Sequence, residues 1–490
     1  MNAPAQAHPQ AQAQVLASRA AARGVLPEYY LLLLAGALAL SLVTFMFPTA
    51  GMLRVATLGS AAIGAALLVR DAVLMWKRGT VVGRLTLNFG LAYWFWLGAA
   101  GMALSNPPFP TPDVFYVGFH DLVPEHIVSV ALVATNLFAL TAMIGWRYIP
   151  QPRRMLRRLA DRVDPRSSRW LDVLALGMAL LAWVPILVAY EGELGPAIHD
   201  LMLMRTEGQI GPTQSVGLEH HLRLVGLFGG AFSVARLVFR ARGITWLRYL
   251  AVGVSMPILF FGDASRFNFG FMMLPALLLL GAPLSHRIGW QQRRKLLLGL
   301  LVATLLLVLY QGAIRMTGIG GPQRNASLTA TLLAGNEGHD QFGAMLIAID
   351  VVEAEGHYFH EFMLPFFFTH YIPRSLWAGK PDPVAWETYN EAWTQGRAFN
   401  VTPSVTGQYY MNWGYFGVAY IGLFMGWLAR FCEVWFTRLS VERQLLSATV
   451  AGLLLAFVFF SFRFFHPLYF AYPLFGYITY RLVTRRRNSS

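Results

Sequence analysis

Long runs of apolar residues, separated by short polar segments, recur from residue 31 almost to the end of the chain. Each run is close to the ~20 residues that an α-helix needs to cross the hydrocarbon core of a bilayer. Because backbone polar groups in lipid must be satisfied within the protein, such runs predict helices. The pattern therefore predicts an all-α, polytopic integral membrane protein with about twelve transmembrane helices. The predicted spans are 30–47, 55–69, 87–105, 126–146, 171–190, 222–239, 246–262, 267–285, 296–312, 411–429, 445–460 and 467–482.

The composition agrees with this pattern and excludes a series of soluble domains. Of the 490 residues, 56% are hydrophobic and only 13% are charged, whereas an average soluble domain carries about 25% charged residues. The single cysteine, Cys432, excludes a disulfide within the chain.

The charges follow the predicted topology. With the N-terminus inside, most Lys and Arg residues fall in cytoplasmic loops and at inner helix ends, and the strongest such segment is 147–169. Most Asp and Glu residues fall on the other side. We therefore expect both termini in the cytoplasm. The net charge of +14 is explained as a topology signal, and no nucleic-acid partner is expected.

The loops define the predicted organisation of the chain. The longest loop is extracytoplasmic, and a loop of that length is either functional or a small domain. Its apolar stretches at 342–349 and 362–372 are too short to span, and we expect helices there that lie on the membrane surface or fold back over the span ends. The predicted regions are a flexible cytoplasmic leader (1–29), transmembrane helices 1–9 (30–312), the large extracytoplasmic loop (313–410), transmembrane helices 10–12 (411–482) and a basic cytoplasmic tail (483–490).

Basic residues from separate outer loops are candidates for phosphate binding. Arg266 and Arg374 are the main candidates, with Arg205, Arg315 and Lys380 as additional ones. A guanidinium binds phosphate oxygens bidentately and stays charged when it is partly desolvated. Arginines near the membrane therefore suit a lipid-linked pyrophosphate and neutralise it as a leaving group without a metal. The alternative is that these side chains only extend to the membrane interface.

His339 and Asp340, in the sequence GNEGHDQFG, form the best candidate acid–base pair. Imidazole titrates near neutral pH, and a neighbouring carboxylate orients it. The alternative is that both are solvated loop residues. Neither HYFHE at 357–361 nor EHH at 219–221 has the spacing of a known metal motif, so we expect neither a metal nor another cofactor.

The region 357–430 resembles the Wzy-type O-antigen and oligosaccharide repeat-unit polymerases. One element of the resemblance is Pro-Arg-x-x-Trp-x-x-Lys-Pro, and the other is Thr-Pro-Ser followed by Gly and Tyr-x-Asn-x-Gly-x-x-Gly at the start of a span. Ala378 and Gln408 depart from the family pattern, and Gln408 removes a carboxylate that is common at its position. The matching positions are Pro373, Arg374, Trp377, Lys380, Pro381, Thr402, Pro403, Ser404, Gly407, Tyr410, Asn412, Gly414 and Gly417.

The resemblance implies a membrane glycosyltransferase of the bacterial inner membrane. Such an enzyme transfers a glycan from undecaprenyl pyrophosphate to the sugar of another lipid-linked repeat unit on the periplasmic face, and it works with a chain-length regulator protein. Arg266 and Arg374 would hold the pyrophosphate, and His339 would be the base. Trp377, Tyr410 and Asn412 would contact sugars, although Trp377 also fits an aromatic anchor at the interface.

Two other functions remain open from the sequence. An O-antigen ligase also uses outer arginines and a loop histidine, and only the motifs between 373 and 417 favour the polymerase. A lipid-linked oligosaccharide flippase or another transporter also has about twelve spans, but transport predicts charges inside the spans around a central cavity. In this chain the ionisable residues cluster at helix ends and in the long loop.

Overall fold

A computed structural model provides the structure of the protein. It describes residues 28–78, 82–110, 122–151, 168–197, 218–239, 243–260, 266–281, 341–361, 384–394, 403–441 and 445–463, with isolated positions between 291 and 302 and at 377 and 478.

The described residues form helices and no β-strand, which confirms the predicted all-α class for this part of the chain. A π-helical turn, Ala92–Trp96, joins the helices Val82–Leu91 and Leu97–Leu104. In chain order the helices are α1 (Glu28–Met46), α2 (Ala50–Arg78), α3 (Val82–Leu91), α4 (Leu97–Leu104), α5 (Glu125–Tyr148), α6 (Ser168–Leu181), α7 (Val184–Ala189), α8 (Leu218–Val238), α9 (Thr245–Phe260), α10 (Arg266–Gly281), α11 (Gln341–Glu355), α12 (Val384–Thr394), α13 (Val405–Val441) and α14 (Leu445–Phe460).

Six helical segments among the described residues are long and apolar enough to cross a membrane. They are α1, α2, α3 continued into α4, α5, α6 continued into α7, and α13. The apolar parts of α8 and α14 are shorter. Apart from isolated positions, the spans predicted at 296–312 and 467–482 lie outside the described residues, so a total of about twelve stays a prediction.

Helix α13 packs along α5 through small residues. A Cβ atom at Gly422 would lie 2.1 Å from the Thr141 hydroxyl oxygen, and one at Gly426 would lie 1.8 Å from the Ala142 carbonyl oxygen. Small residues allow this close approach, which holds helices together in lipid where no hydrophobic effect draws them to each other. The order of these contacts shows that this part of α13 runs in the same direction as α5.

Helix α13 is broken at Gly414, where the backbone has φ 58° and ψ −145°. Residues 405–413, which we call the short arm, fold back against residues 415–441, which we call the long arm. A Cβ atom at Gly417 would lie 2.3 Å from the Tyr409 carbonyl oxygen, so the two arms are in direct contact. The sequence predicts a span only from residue 411. It therefore does not predict the short arm, which begins at residue 405.

The short arm begins near mid-height of the bundle. The backbone N–H of Val405 donates a hydrogen bond to the Phe462 carbonyl oxygen at 3.0 Å. The Phe462 ring lies 5.5 Å from the ring of Phe138 and 6.4 Å from that of Phe95. Both of these rings belong to the middle of their helices. Helix α14 therefore ends, and the short arm starts, about half-way along their neighbours.

The two ends of the bundle are named here after the predicted orientation. The outer end contains the end of α4 and the start of α5, at Leu104 and Glu125. The inner end contains the start of α3 and the end of α5, at Arg84 and Trp146. The long arm of α13 reaches the inner end, where the Glu433 carboxylate accepts a hydrogen bond from the Gly83 backbone N–H at 3.0 Å.

Helix α11 lies inside the bundle. Its residues 341–349 are all buried, and Ala348 faces Gly407 of the short arm. Near its other end, Glu353 contacts His126 in the first turn of α5. The helix therefore runs from mid-height to the outer end. Burial on all sides differs from the one-sided burial expected of a helix on a membrane surface, and the position inside the bundle is one that the sequence did not predict.

A buried ion pair fixes the inner ends of α1, α2 and α3. The Asp71 carboxylate accepts hydrogen bonds from Arg84 Nε at 2.9 Å, from Tyr30 Oη at 2.8 Å and from Asn88 Nδ2 at 2.7 Å. Removing one member of a buried ion pair leaves an uncompensated charge and costs about 3–5 kcal/mol. This cluster therefore resists separation of the three helices at the inner end.

A second buried ion cluster joins α6, α8 and α9. The Asp172 carboxylate accepts hydrogen bonds from Arg236 Nε at 2.7 Å, from Arg248 Nε at 2.8 Å and from the Ile244 backbone N–H at 2.7 Å. These are the helix ends that the predicted topology puts on the cytoplasmic side. Two separate groups of helices are thus each held by a buried carboxylate at their inner ends.

Replacement of Gly414 by alanine should destabilise the helical hairpin. The backbone conformation at Gly414 is close to a region that only glycine adopts easily, at a cost of about 1–3 kcal/mol for other residues. The new Cβ atom would also lie 2.9 Å from the Tyr358 ring. We expect a lower thermal unfolding temperature for Gly414→Ala in detergent. Gly101→Ala is the matched control, since a Cβ atom there meets nothing within 4 Å. An equal effect of both substitutions would contradict the strained hairpin.

Candidate functional site

The chemically richest group of described side chains lies at the outer end, where α5 begins, α11 ends and the two arms of α13 meet. It combines a carboxylate, two imidazoles and four large aromatic rings with polar atoms. We call this group the outer cluster; its residues are His126, Glu353, Tyr358, His360, Tyr410, Trp413 and Tyr415.

The aromatic rings of the outer cluster pack edge to face. Ring centroids are 5.9 Å apart for Tyr358 and Tyr410, 5.5 Å for Tyr410 and Tyr415, and 5.0 Å for His360 and Trp413. These are preferred separations for aromatic pairs, and each ring pairs an apolar face with a polar atom. Such a surface can pack against the C–H face of a sugar while its polar atoms bind the hydroxyl groups.

His126 and Glu353 form a hydrogen bond at the edge of the cluster. The Nε2 atom of His126 lies 2.9 Å from a Glu353 carboxylate oxygen, although the two residues are 227 positions apart in the sequence. Their side chains are 57% and 44% exposed, so a molecule outside the bundle can reach both. Glu353 is also close enough to the Tyr410 hydroxyl to interact with it electrostatically.

Asn412 connects the short arm to the segment that follows α11. Its Nδ2 atom donates to the Gln408 carbonyl oxygen at 2.9 Å, and its Oδ1 atom accepts from the Glu361 backbone N–H at 2.8 Å. The His360 backbone N–H donates to the Asn412 carbonyl oxygen at 3.1 Å. Asn412 is only 1% exposed. The residue therefore satisfies the backbone around the break in α13, and contact with a substrate sugar, as the sequence predicts, would need a rearrangement.

Glu361 holds the start of α12 against this segment. Its carboxylate accepts hydrogen bonds from the backbone N–H groups of Val384 at 2.6 Å and Ala385 at 3.4 Å. Acidic groups at a helix N-terminus are favourable because that end carries a partial positive charge. Burial nevertheless raises the pKa of the Glu361 carboxyl group above its ordinary value, and the two hydrogen bonds only partly offset this effect.

Two buried polar atoms near the hairpin have no hydrogen-bond partner among the described residues. They are the Tyr415 hydroxyl oxygen and the Gln341 side-chain oxygen. Gln341 is the first residue of α11 and is 1% exposed. Buried polar atoms in proteins are normally paired, so the partners of these two oxygens lie outside the described residues.

The structure describes part of the site that the sequence predicts. Tyr410 is buried within the outer cluster, and Trp377 is 39% exposed. Arg266 is the first residue of α10, and its side chain lies outside the described part. The remaining candidates also lie outside the described residues; they are His339, Asp340, Arg205, Arg315, Arg374 and Lys380. His339 and Asp340 directly precede the buried start of α11 in the sequence.

The described residues contain no group of three or more His, Cys, Asp and Glu side chains that could hold a metal ion.

Sequence reasoning missed the pair of His126 and Glu353. His126 stands at a predicted span end, and Glu353 follows an apolar stretch of the long loop. Only the folding of α11 against α5 brings them together. The acidic end of α11, with Glu353 and Glu355 after an apolar run, was the one available signal that its end faces water.

The chain gives no match to the protein-family models, to the curated proteins or to the solved structures with which it was compared.

The contribution of Glu361 to the free energy of unfolding should depend on pH. Because the pKa of the Glu361 carboxyl group is raised in the folded protein, this stabilising contribution is largest at low pH. It is lost as the pH rises from the ordinary carboxyl pKa through the raised one. A Glu361→Gln variant has no such proton to lose. The unfolding temperature of the wild type, relative to Glu361→Gln, should therefore fall across this window. A relative gain of the wild type with rising pH would mean that the hydrogen bonds to α12 dominate.

Proposed function

We propose that this protein polymerises oligosaccharide repeat units linked to undecaprenyl pyrophosphate, by glycosyl transfer on the periplasmic face of the bacterial inner membrane. It would act without a metal or other cofactor. Arg266 and Arg374, with Arg205 and Arg315, would hold the pyrophosphate, and an outer base would activate the acceptor hydroxyl group. The sequence offers His339, oriented by Asp340, as that base. A chain-length regulator is the expected protein partner.

One observation carries this proposal. The polymerase-like motif at 402–417 coincides with the short arm and the Gly414 turn, where a membrane-spanning helix is broken. The short arm begins about half-way through the bundle, and irregular backbone at that depth is tolerated only where it is buried in protein or lines a water-filled cavity. Strained backbone is also concentrated at functional sites. A break at this motif supports a site that opens toward the outer end.

The inner end supports an enzyme over a transporter. A transporter must open alternately to both sides, and its broken helices typically form a site between two repeats. Here the described break lies in the outer half, and the buried carboxylates of Asp71 and Asp172 each hold three chain segments at the inner end. A flippase is therefore the weaker alternative. The O-antigen ligase uses the same chemistry, and only the motif region favours the polymerase.

The reaction needs few groups from the protein. Energy is stored in the bond between the sugar and pyrophosphate, and arginines stabilise the negative charge that develops as this bond breaks. The base removes the proton of the acceptor hydroxyl group, whose oxygen forms the new glycosidic bond. The aromatic rings of the outer cluster would align the sugars, which lowers the entropic cost of the transfer.

Arg266→Ala and Arg374→Ala should each abolish polymer while the protein stays at its normal level in the membrane. Each substitution removes a cation that would stabilise the negative charge developing on the leaving pyrophosphate. Arg54→Ala is the matched control, because Arg54 is exposed near the outer start of α2 and is not among the arginines proposed to bind the pyrophosphate. Polymer of wild-type length in both test variants would contradict the phosphate role.

The readout is the glycan profile of a deletion strain that expresses each variant, in a host whose polymer is attached to lipid A core. A core with a single repeat unit and no longer ladder indicates loss of polymerisation. Bare core with polymer on the lipid carrier outside would indicate a ligase. Bare core with single units trapped inside would indicate a flippase.

A further inference from the structure

The contact between the exposed side chains of His126 and Glu353 adds little to the stability of the fold. Even fully charged pairs of exposed side chains contribute only about 0–1 kcal/mol. The packing of α11 against α5 is already provided by the buried residues 341–349. The pair nevertheless places an imidazole and a carboxylate at hydrogen-bonding distance on the rim of the outer cluster.

A general base for glycosyl transfer must reach the acceptor hydroxyl group, and it is more effective when a second group orients it. His126 has both properties. Its imidazole is more than half exposed, and its Nε2 atom faces the Glu353 carboxylate. Its other ring nitrogen has no hydrogen bond to the described residues and is available to a substrate.

The neighbouring side chains suit a sugar that presents its hydroxyl group to this base. Glu353 lies near enough to Tyr410 for an electrostatic interaction, and Tyr410 is in ring contact with Tyr358 and Tyr415. The Tyr415 hydroxyl oxygen is buried without a partner among the described residues. The aromatic rings and the proton acceptor thus lie near one another at the outer end.

We propose that His126 is the general base of the glycosyl transfer proposed above, that Glu353 is its positioning residue, and that the outer cluster binds the acceptor sugar. In this step His126 takes the proton from the acceptor hydroxyl group. The oxygen uses the freed electron pair to form a bond to the anomeric carbon of the donor glycan. The bond between that carbon and the pyrophosphate oxygen breaks, and its electron pair leaves with undecaprenyl pyrophosphate. The proton remains on the imidazolium, beside the Glu353 carboxylate, until it passes to water.

This inference rests on the proposed function and differs from the sequence-based choice of His339. The two histidines are therefore compared directly. Purified full-length protein in detergent is supplied with lipid-linked repeat units extracted from the deletion strain, and dimerisation of the units is followed over time. The test variants are His126→Ala, Glu353→Ala and His339→Ala. The matched controls are His357→Ala and Glu355→Ala. Both residues are exposed; Glu355 is the last residue of α11, and His357 follows it by two residues.

His126→Ala should lower kcat by about 10²–10⁴-fold, the usual contribution of general acid–base catalysis, with KM changed by little. Added imidazole should restore part of the rate, because the free base can enter the space that the side chain leaves. Glu353→Ala should lower kcat at similar KM, and Glu353→Asp should recover part of the loss. The two controls should retain the wild-type rate.

Three results would overturn the assignment. Wild-type kcat in His126→Ala would exclude a catalytic role. Suppose instead that His126→Ala loses activity, that added imidazole fails to restore it, and that the unfolding temperature of the variant falls as well. The pair would then only hold α11 to α5. Loss in His339→Ala with activity kept in His126→Ala would return the role to His339 and leave the proposed function intact. Absence of any product from the wild type would instead contradict the proposed function itself, and this assignment with it.

Discussion

A chain that crosses lipid must satisfy its backbone hydrogen bonds within the protein, and the rest of the described structure depends on how this requirement is met at Gly414. The break leaves carbonyl groups of the short arm without helical partners. The segment after α11 supplies them: the Phe359 and His360 N–H groups donate to the carbonyl oxygens of Met411 and Asn412. The same contacts bring Tyr358 and His360 against the short arm. One backbone requirement therefore assembles the outer cluster.

The described part of the bundle differs between its inner and outer ends. At the inner end, Asp71 and Asp172 are buried and paired with arginines, and these contacts hold the helices of each group together. At the outer end, α14 and the short arm leave the bundle incomplete above mid-height, and a carboxylate and an imidazole are exposed. A closed inner end and an open outer end suit the proposed enzyme, which would receive lipid-linked substrate from one side.

The sequence predicted the helices where hydropathy alone decides their position. The predicted span 126–146 agrees with Glu125–Tyr148, and 445–460 agrees with Leu445–Phe460. The prediction at 55–69 was too short, because Arg70 and Asp71 end the apolar run although the helix continues. Asp71 can stay in the helix because Arg84 pairs with it, and a hydropathy pattern carries no information about such a partner.

The site was less predictable for a related reason. The motif that includes Asn412 and Gly414 coincides with the break in α13, and the Asn412 side chain binds the backbone beside that break. The contact of His126 with Glu353 depends on α11 entering the bundle. Its residues read as an apolar stretch of a loop, and apolar character alone does not distinguish a surface helix from a buried one.

The most direct test of the account is reconstitution of the purified protein in vesicles with lipid-linked repeat units and no other enzyme. We predict a ladder of longer lipid-linked glycans together with free undecaprenyl pyrophosphate, without added metal or nucleotide. Movement of intact single units across the vesicle membrane, with no ladder and no released carrier, would contradict the central claim and would establish a transporter in its place.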